Sequence, residues 1–172
     1  RGPGTVFYGS NAMHGVVNFL SPSVDQNYLS GGIGSNNYRK SRTGLKRQLS
    51  NGFFQLVANG ASDEGYKDSS GFEQQKVSLK HAYGTENIDI TTHLSATNLN
   101  QETAGYIKGF EAYKDRSVRK RNPNPEAFRD AQSLRLTSKV EGLILGHEWT
   151  ATPYFRKSKM TFLQHYLPGQ PT

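Results

Sequence analysis

Alternation with a period of two restricts this chain most, because successive side chains of a strand point to opposite faces while a helix repeats every ~3.6 residues. From Phe54 onward, Leu56 and Ala58 point one way while Gln55 and Asn59 point the other. Val77, Leu79 and Tyr83 alternate with Lys76, Ser78 and Lys80, with His81 interrupting the apolar set. Ile88, Ile90 and Leu94 alternate with Asp89, Thr91, His93 and Ser95, and Leu134, Leu136 and Val140 alternate with Ser133, Arg135, Thr137, Lys139 and Glu141. Each segment thus has an apolar and a polar face. Weaker strand candidates lie at 27–34, 43–48 and 148–162. The last carries Pro153, which deletes a ladder donor and demands an edge, a bulge or a locally unpaired position. The pattern predicts an all-β, antiparallel fold of about seven strands.

The connections alternate in length. Short links fall at Ser50-Asn51-Gly52, at Gly84-Thr85-Glu86-Asn87 and near 141–146, while longer ones span 64–73 and 102–130, with another after Tyr166. The link at 35–40 is short and decides nothing. Short turns at one end and long loops at the other are the arrangement of an up-and-down β-barrel in an outer membrane. A structureless loop of about thirty residues counts against a compact soluble domain, where such loops are uncommon.

Mean hydropathy is −0.71, and no apolar run approaches the ~18 residues of a membrane helix, so helical spans are excluded. A membrane barrel is not, since only alternate residues of its strands face lipid. The absence of cysteine excludes a disulfide scaffold and a thiolate metal site. A net charge of +7 raises nucleic acid as a partner. The basic residues are spread along the chain, however, with one cluster from Arg116 to Arg121 in a predicted loop, and no recognition helix or aromatic-basic platform is visible. Nucleic acid is therefore not an expected partner. The five histidines, at 14, 81, 93, 147 and 165, show no metal-ligand spacing, and there is no nucleophile elbow, P-loop or dinucleotide fingerprint. No enzyme activity, metal or cofactor is expected.

In residues 1–22, Gly2 and Gly4 flank a fixed-φ Pro3, Gly9 with Ser10 and Asn11 makes a second turn, and Gly15 opens the β-branched run Val16-Val17. This segment resembles the end of the plug domain in TonB-dependent outer-membrane receptors. The resemblance rests on Arg1-Gly2-Pro3, on Tyr8-Gly9-Ser10 with Ala12, and on Gly15-Val16 with Asn18. His14 departs from the pattern, which usually has glycine there. More loosely, Glu64 to Phe72 is similar to the second outer loop of these receptors, and Thr152 to Arg156 with Met160 to Leu163 to a later strand.

The resemblance implies the C-terminal end of a plug at 1–22 and the N-terminal part of a barrel at 23–172, a fragment whose two ends read as cut. It implies a transmembrane β-barrel of about 22 strands with a plugged lumen, in the outer membrane of a Gram-negative bacterium, in contact with lipid and lipopolysaccharide. Function would be energised uptake of a scarce nutrient, most often an iron chelate such as a ferric siderophore. The implied partner is the TonB energy-transducing complex, whose contact segment is not among these residues. Lys76, Lys80, Arg135 and Lys139 would face the plug.

The loop at 102–130 holds Tyr106, Lys108, Tyr113, Arg116, Arg119 and Arg121. Aromatic and cationic side chains together suit a small anionic, partly aromatic ligand, and the same cations suit lipopolysaccharide phosphates. Two other readings stand beside this one: a passive porin or adhesin barrel, which would lack a plug, and a soluble carbohydrate-binding β-sandwich. The sandwich requires Leu56, Leu79, Ile90 and Leu136 to be packed against a second sheet, and a membrane barrel requires them in one outward belt.

Overall fold

The computed structural model describes residues 23–163. The expectations for Arg1, Gly2, Pro3, Tyr8, Gly9, Ala12, Gly15 and Asn18, and for the link after Tyr166, lie outside the described residues.

The strands are β1 (Tyr28–Ile33), β2 (Arg39–Leu49), β3 (Gly52–Asp63), β4 (Phe72–Gly84), β5 (Ile88–Glu102), β6 (Phe128–Ile144), β7 (His147–Ala151) and β8 (Tyr154–Leu163). β1 to β7 each pair antiparallel with their neighbour in the chain and β8 pairs antiparallel with β6, giving one open up-and-down sheet. The strands from β2 to β6 have 11 to 17 residues. All are longer than the ~5–6 residues usual in globular proteins.

Pro153 explains why eight segments occupy seven strand positions. Ala151 faces Val140 in β6 and Tyr154 faces Thr137, so β7 and β8 continue one another in a single register. Between them the Ser138 N–H donates to the Pro153 carbonyl at 3.0 Å. Proline has no N–H to return, which leaves a gap of one bond in the ladder. Among the described residues this strand pairs with β6 alone.

The turns form one end of the sheet. Ser50-Asn51 joins β2 to β3. Thr85 closes the β4–β5 turn, its N–H donating to the Ile88 carbonyl at 2.8 Å while its Oγ1 accepts from Ile88 N–H at 3.1 Å. Leu145 and Gly146 close the β6–β7 hairpin with φ of 53° and 81°. Left-handed backbone at both central positions matches the twist of the flanking strands, and only the glycine adopts it without strain. This turn is tighter than the 141–146 link expected from sequence, and Glu141 to Ile144 belong to β6. The connections 34–38, 64–71 and 103–127 lie at the other end.

Register converts the alternation into two continuous faces. One row runs Leu45, Leu56, Leu79, Leu94, Leu136 and Phe155 across six neighbouring strands. The same face carries Thr43, Ala58, Val77, Ala96 and Leu134 on one side of that row, and Leu49, Tyr83, Ile90, Val140 and Ala151 on the other. The Thr92 and Ser138 hydroxyls on this face bond each other at 2.9 Å, so two polar groups are satisfied locally. Toward the loop end a row of amides takes over. Asn98 donates to Gln75 at 2.8 Å and Gln132 donates to Asn98 at 3.3 Å.

The apolar face has no second layer on it among the described residues. Leu45 is 47 % exposed, Leu136 40 % and Phe155 52 %, and the buried apolar residues are Val24 and Ala127 alone. Val24 instead marks the polar face, where its N–H donates to Gln55 Oε1 at 2.9 Å and both residues are buried.

The apolar belt keeps to the same hydrogen-bonded rows from β2 to β6, between the Leu49 row and the Thr43 row. On β1 an isolated Ile33 lies opposite Arg39, and on β8 the belt ends at Phe155 in the Leu45 row, followed on that face by Lys157.

Candidate functional site

The three connections at the loop end hold one another. Asp63 Oδ1 accepts from the Gly65 N–H, whose φ of 83° requires glycine's freedom, and Ser70 Oγ both donates to the Lys67 carbonyl at 2.6 Å and accepts from its N–H at 3.0 Å. These bonds tighten loop 64–71. Its first residue, Glu64, donates its N–H to the Asn36 carbonyl at 2.9 Å, which ties it to loop 34–38.

Loop 103–127 is tied down more heavily. Glu102 N–H donates to the Gly71 carbonyl at 2.9 Å, and Gly71 N–H donates back to Glu102 Oε2 at 3.1 Å. Asp68 N–H donates to the Lys120 carbonyl at 2.8 Å, and Lys67 Nζ to the Gly105 carbonyl at 2.6 Å. Asn122 is the central bridge. Its Nδ2 donates to the Ser69 carbonyl at 2.8 Å, while its Oδ1 accepts from Gly105 N–H at 3.2 Å and Asn124 N–H at 2.9 Å. Lys120 Nζ lies 5.7 Å from the centre of the Tyr66 ring, within cation–π range.

The loop is therefore not structureless, as the sequence suggested. It contains a 3-10 turn at Ala112–Lys114, followed by a turn built on Asp115. The Asp115 carbonyl accepts from Val118 and Arg119 N–H, and its Oδ1 accepts from Ser117 N–H at 2.8 Å and Ser117 Oγ at 2.7 Å. Those Ser117 bonds, aided by the Arg121 charge, hold the exposed Asp115 carboxyl below its ordinary value. The loop is also shorter than expected, because Phe128 and Arg129 are strand residues of β6.

Of the six ligand candidates, Tyr113, Arg116, Arg119 and Arg121 sit on the consecutive turns from 112 to 121, and Tyr106 and Lys108 lie on the approach to them. Tyr106 is 57 % exposed and Tyr113 66 %, while Lys108, Arg116 and Arg121 are also exposed. Arg119 is half-buried, and its Nε is enclosed with no hydrogen-bond partner among the described residues. No hydrogen bond or ring contact joins any two of the six among the described residues. Lys114 caps the Tyr113 ring at 5.8 Å and pairs with Glu111. The loop carries six cations against three carboxylates, a positive and aromatic surface open to solvent.

Sequence reasoning missed Tyr66, Lys67 and Asn122, whose contacts span 38 to 54 positions in the chain. The one available signal was the Asn122-Pro123-Asn124-Pro125 run, whose amides and prolines favour turns.

The polar-face residues named from sequence, Lys76, Lys80, Arg135 and Lys139, do share one face. Lys139 pairs with Glu141 at 2.6 Å. On the same face His93 Nε2 shares a 2.7 Å hydrogen bond with Ser78 Oγ.

No family model, no curated protein and no solved structure matches this chain.

Proposed function

We propose that this chain is part of an outer-membrane receptor of the TonB-dependent kind, which takes up a small anionic nutrient, an iron chelate such as a ferric siderophore, with energy supplied by the TonB complex. One observation carries the membrane part of the reading: a continuous apolar face on six neighbouring strands is exposed, with no second layer on it among the described residues. Strands of a closed barrel tilt by ~35–45° to the barrel axis. From Ile88 to Ala96 on β5 the belt spans eight residue steps, about 27 Å along the strand and about 21 Å in height at that tilt. That is close to the ~25 Å apolar band of outer-membrane barrels. Tyr83 and Trp149 lie toward its turn end, where interfacial aromatics belong.

A soluble β-sandwich needs this face covered, and among the described residues no sheet covers it. The positive, aromatic surface of loop 103–127 supports an anionic ligand at the loop end, with Tyr106, Lys108, Tyr113, Arg116, Arg119 and Arg121 as its contacts. The energised mechanism and the plug at 1–22 rest on the sequence resemblance. No catalytic step is part of the proposal.

The test is uptake of labelled ferric chelates by cells carrying the intact gene, with and without a functional energy complex. Loss of uptake without the complex is the expected result. Equal uptake in both strains removes the energised mechanism and leaves a passive barrel.

A further inference from the structure

The polar face carries far more positive than negative charge, and its cations are placed by the ladders. Arg42, Asn59, Lys76, Thr97 and Ser133 form one row, Val57, Ser78, Ser95, Arg135 and Arg156 the next, and Lys46, Gln55, Lys80, His93 and Thr137 the third. Three successive rows therefore hold six permanent or near-permanent cations and no carboxylate. Arg135 and Arg156 are directly opposite each other, and a like-charge cross-strand pair is destabilising unless something neutralises it. Neighbouring strands are ~4.8 Å apart, so Arg135 and Arg156 lie within one Debye length of each other and salt screens their repulsion little.

The carboxylates of this face lie at its margins. Asp63 is four residues from Asn59, Asp89 four from His93, and Glu141 six from Arg135, distances of about 14–20 Å along the strands. Glu141 is engaged with Lys139. Asp25, in the segment that leads into β1, is exposed and accepts from Ser23 Oγ at 3.1 Å. None of the six cations has an ion-pair partner among the described residues.

Aromatic rings hold several of them in place. The Phe53 ring lies 4.9 Å from Lys46 Nζ and 5.6 Å from Lys80 Nζ, and the Tyr28 ring lies 5.4 Å from Arg42. Tyr28 in turn needs Gly44, where a Cβ would fall 2.2 Å from its ring. Between the rows is a recess of about 670 Å³ lined by Arg42, Lys76, Lys80, His93 and Arg135, a volume in the range of small-molecule sites.

We propose that this recess binds a small multivalent anion of the carboxylate or phosphate class, separate from the loop-end surface. Arg135 lines the recess and Arg156, directly opposite it in the ladder, lies beside that lining, so two guanidinium forks suited to bidentate capture of such groups stand on neighbouring strands. Lys76 and Lys80 supply point charges from β4, two strands from Arg135, and Ser78 on β4 and Ser95 on β5 supply hydroxyls. The anion removes the Arg135–Arg156 repulsion, so binding and stability are linked. The site stands on charge placement alone and holds whichever nutrient the loop end takes.

The test uses the intact protein in detergent, with citrate as the polycarboxylate probe, pyrophosphate as the phosphate probe and acetate as the monovalent control, read by calorimetry and by thermal melting. Citrate or pyrophosphate is expected to bind at least tenfold more tightly than acetate, and whichever binds more tightly identifies the class. Arg135→Gln and Arg156→Gln should each weaken that binding about tenfold or more, while Lys157→Gln, on the other face of β8, leaves it unchanged. In the absence of multivalent anion Arg156→Gln should melt at the same temperature as the parent or higher. With the anion the parent should gain more than the variant. Equal weak binding of all three probes, unchanged affinity in both arginine variants, or an Arg156→Gln variant destabilised to the same extent with and without anion would each overturn the proposal.

Discussion

Arginine placed at Leu94 probes the belt most directly. Leu94 sits in the central row between Leu79 and Leu136, and in the membrane reading its side chain faces hydrocarbon. Asn98 is on the same face of the same strand four residues away, in the amide row that borders the belt. Four residues are about 14 Å along the strand and about 11 Å in height at a 35–40° tilt. Arginine on the lipid face costs about 3 kcal/mol near the bilayer midplane and about 0.5 kcal/mol near the interface. Leu94→Arg should therefore exceed Asn98→Arg by about 2.5 kcal/mol, roughly a 70-fold difference in the unfolding equilibrium. The measurement is reversible guanidinium unfolding of the intact protein in phospholipid vesicles, monitored by tryptophan fluorescence. Costs that agree within about 0.5 kcal/mol, whether both small or both large, would refute a depth-dependent lipid-facing belt.

Asn122→Ala removes the amide that bridges loops 64–71 and 103–127; a loss of about 1–2 kcal/mol of local stability is expected, read as faster hydrogen exchange at Asp68 and Gly105 with Gly71 unchanged. Pro153→Ala restores the missing donor opposite the Ser138 carbonyl, and the new amide at 153 should exchange slowly, with solvent-like exchange there showing that the ladder gap has another cause. Asp115 has a depressed carboxyl value, so the Ser117 contacts are complete above about pH 3.9 and are lost only as pH falls through the lower folded value. In carbon NMR its carboxyl should titrate below the ordinary aspartate value, and Ser117→Ala should move it back up. Gly44→Ala should push the Tyr28 ring off the sheet, costing about 1–3 kcal/mol.

The two faces were legible in the sequence because a period of two assigns a side regardless of tertiary context. Leu56, Leu79, Ile90 and Leu136 are on one face and Lys76, Lys80 and Arg135 on the other, as the alternation required. Strand ends were less legible. β2 begins at Arg39, not near Thr43, because Arg39 to Arg42 is polar on both faces and gives no alternation to read. Arg42 was missed as a member of the basic face for the same reason, and Lys46 because the adjacent Arg47 on the other face blurs the alternation there. Arg156 was missed because the strand around Pro153 looked irregular, and only the shared register of β7 and β8 reveals which side it takes. The order within loop 103–127 was illegible because its bonds reach residues in loop 64–71, and local propensity carries no information about such partners.

Pairing between sequence neighbours alone also sets the order in which this sheet can assemble. Hairpins β2–β3, β4–β5 and β6–β7 close over two or three residues, so each can zip from its own turn. Joining β5 to β6 requires closing residues 103–127, about 25 residues, which costs about 2 kcal/mol more in chain entropy than a three-residue turn. That junction is also the longest ladder, with fifteen paired positions from Ile88–Gly142 to Glu102–Phe128. The slow step of assembly is thus expected where two preformed hairpins meet across β5 and β6, and the interlocked loops at that end form only after it.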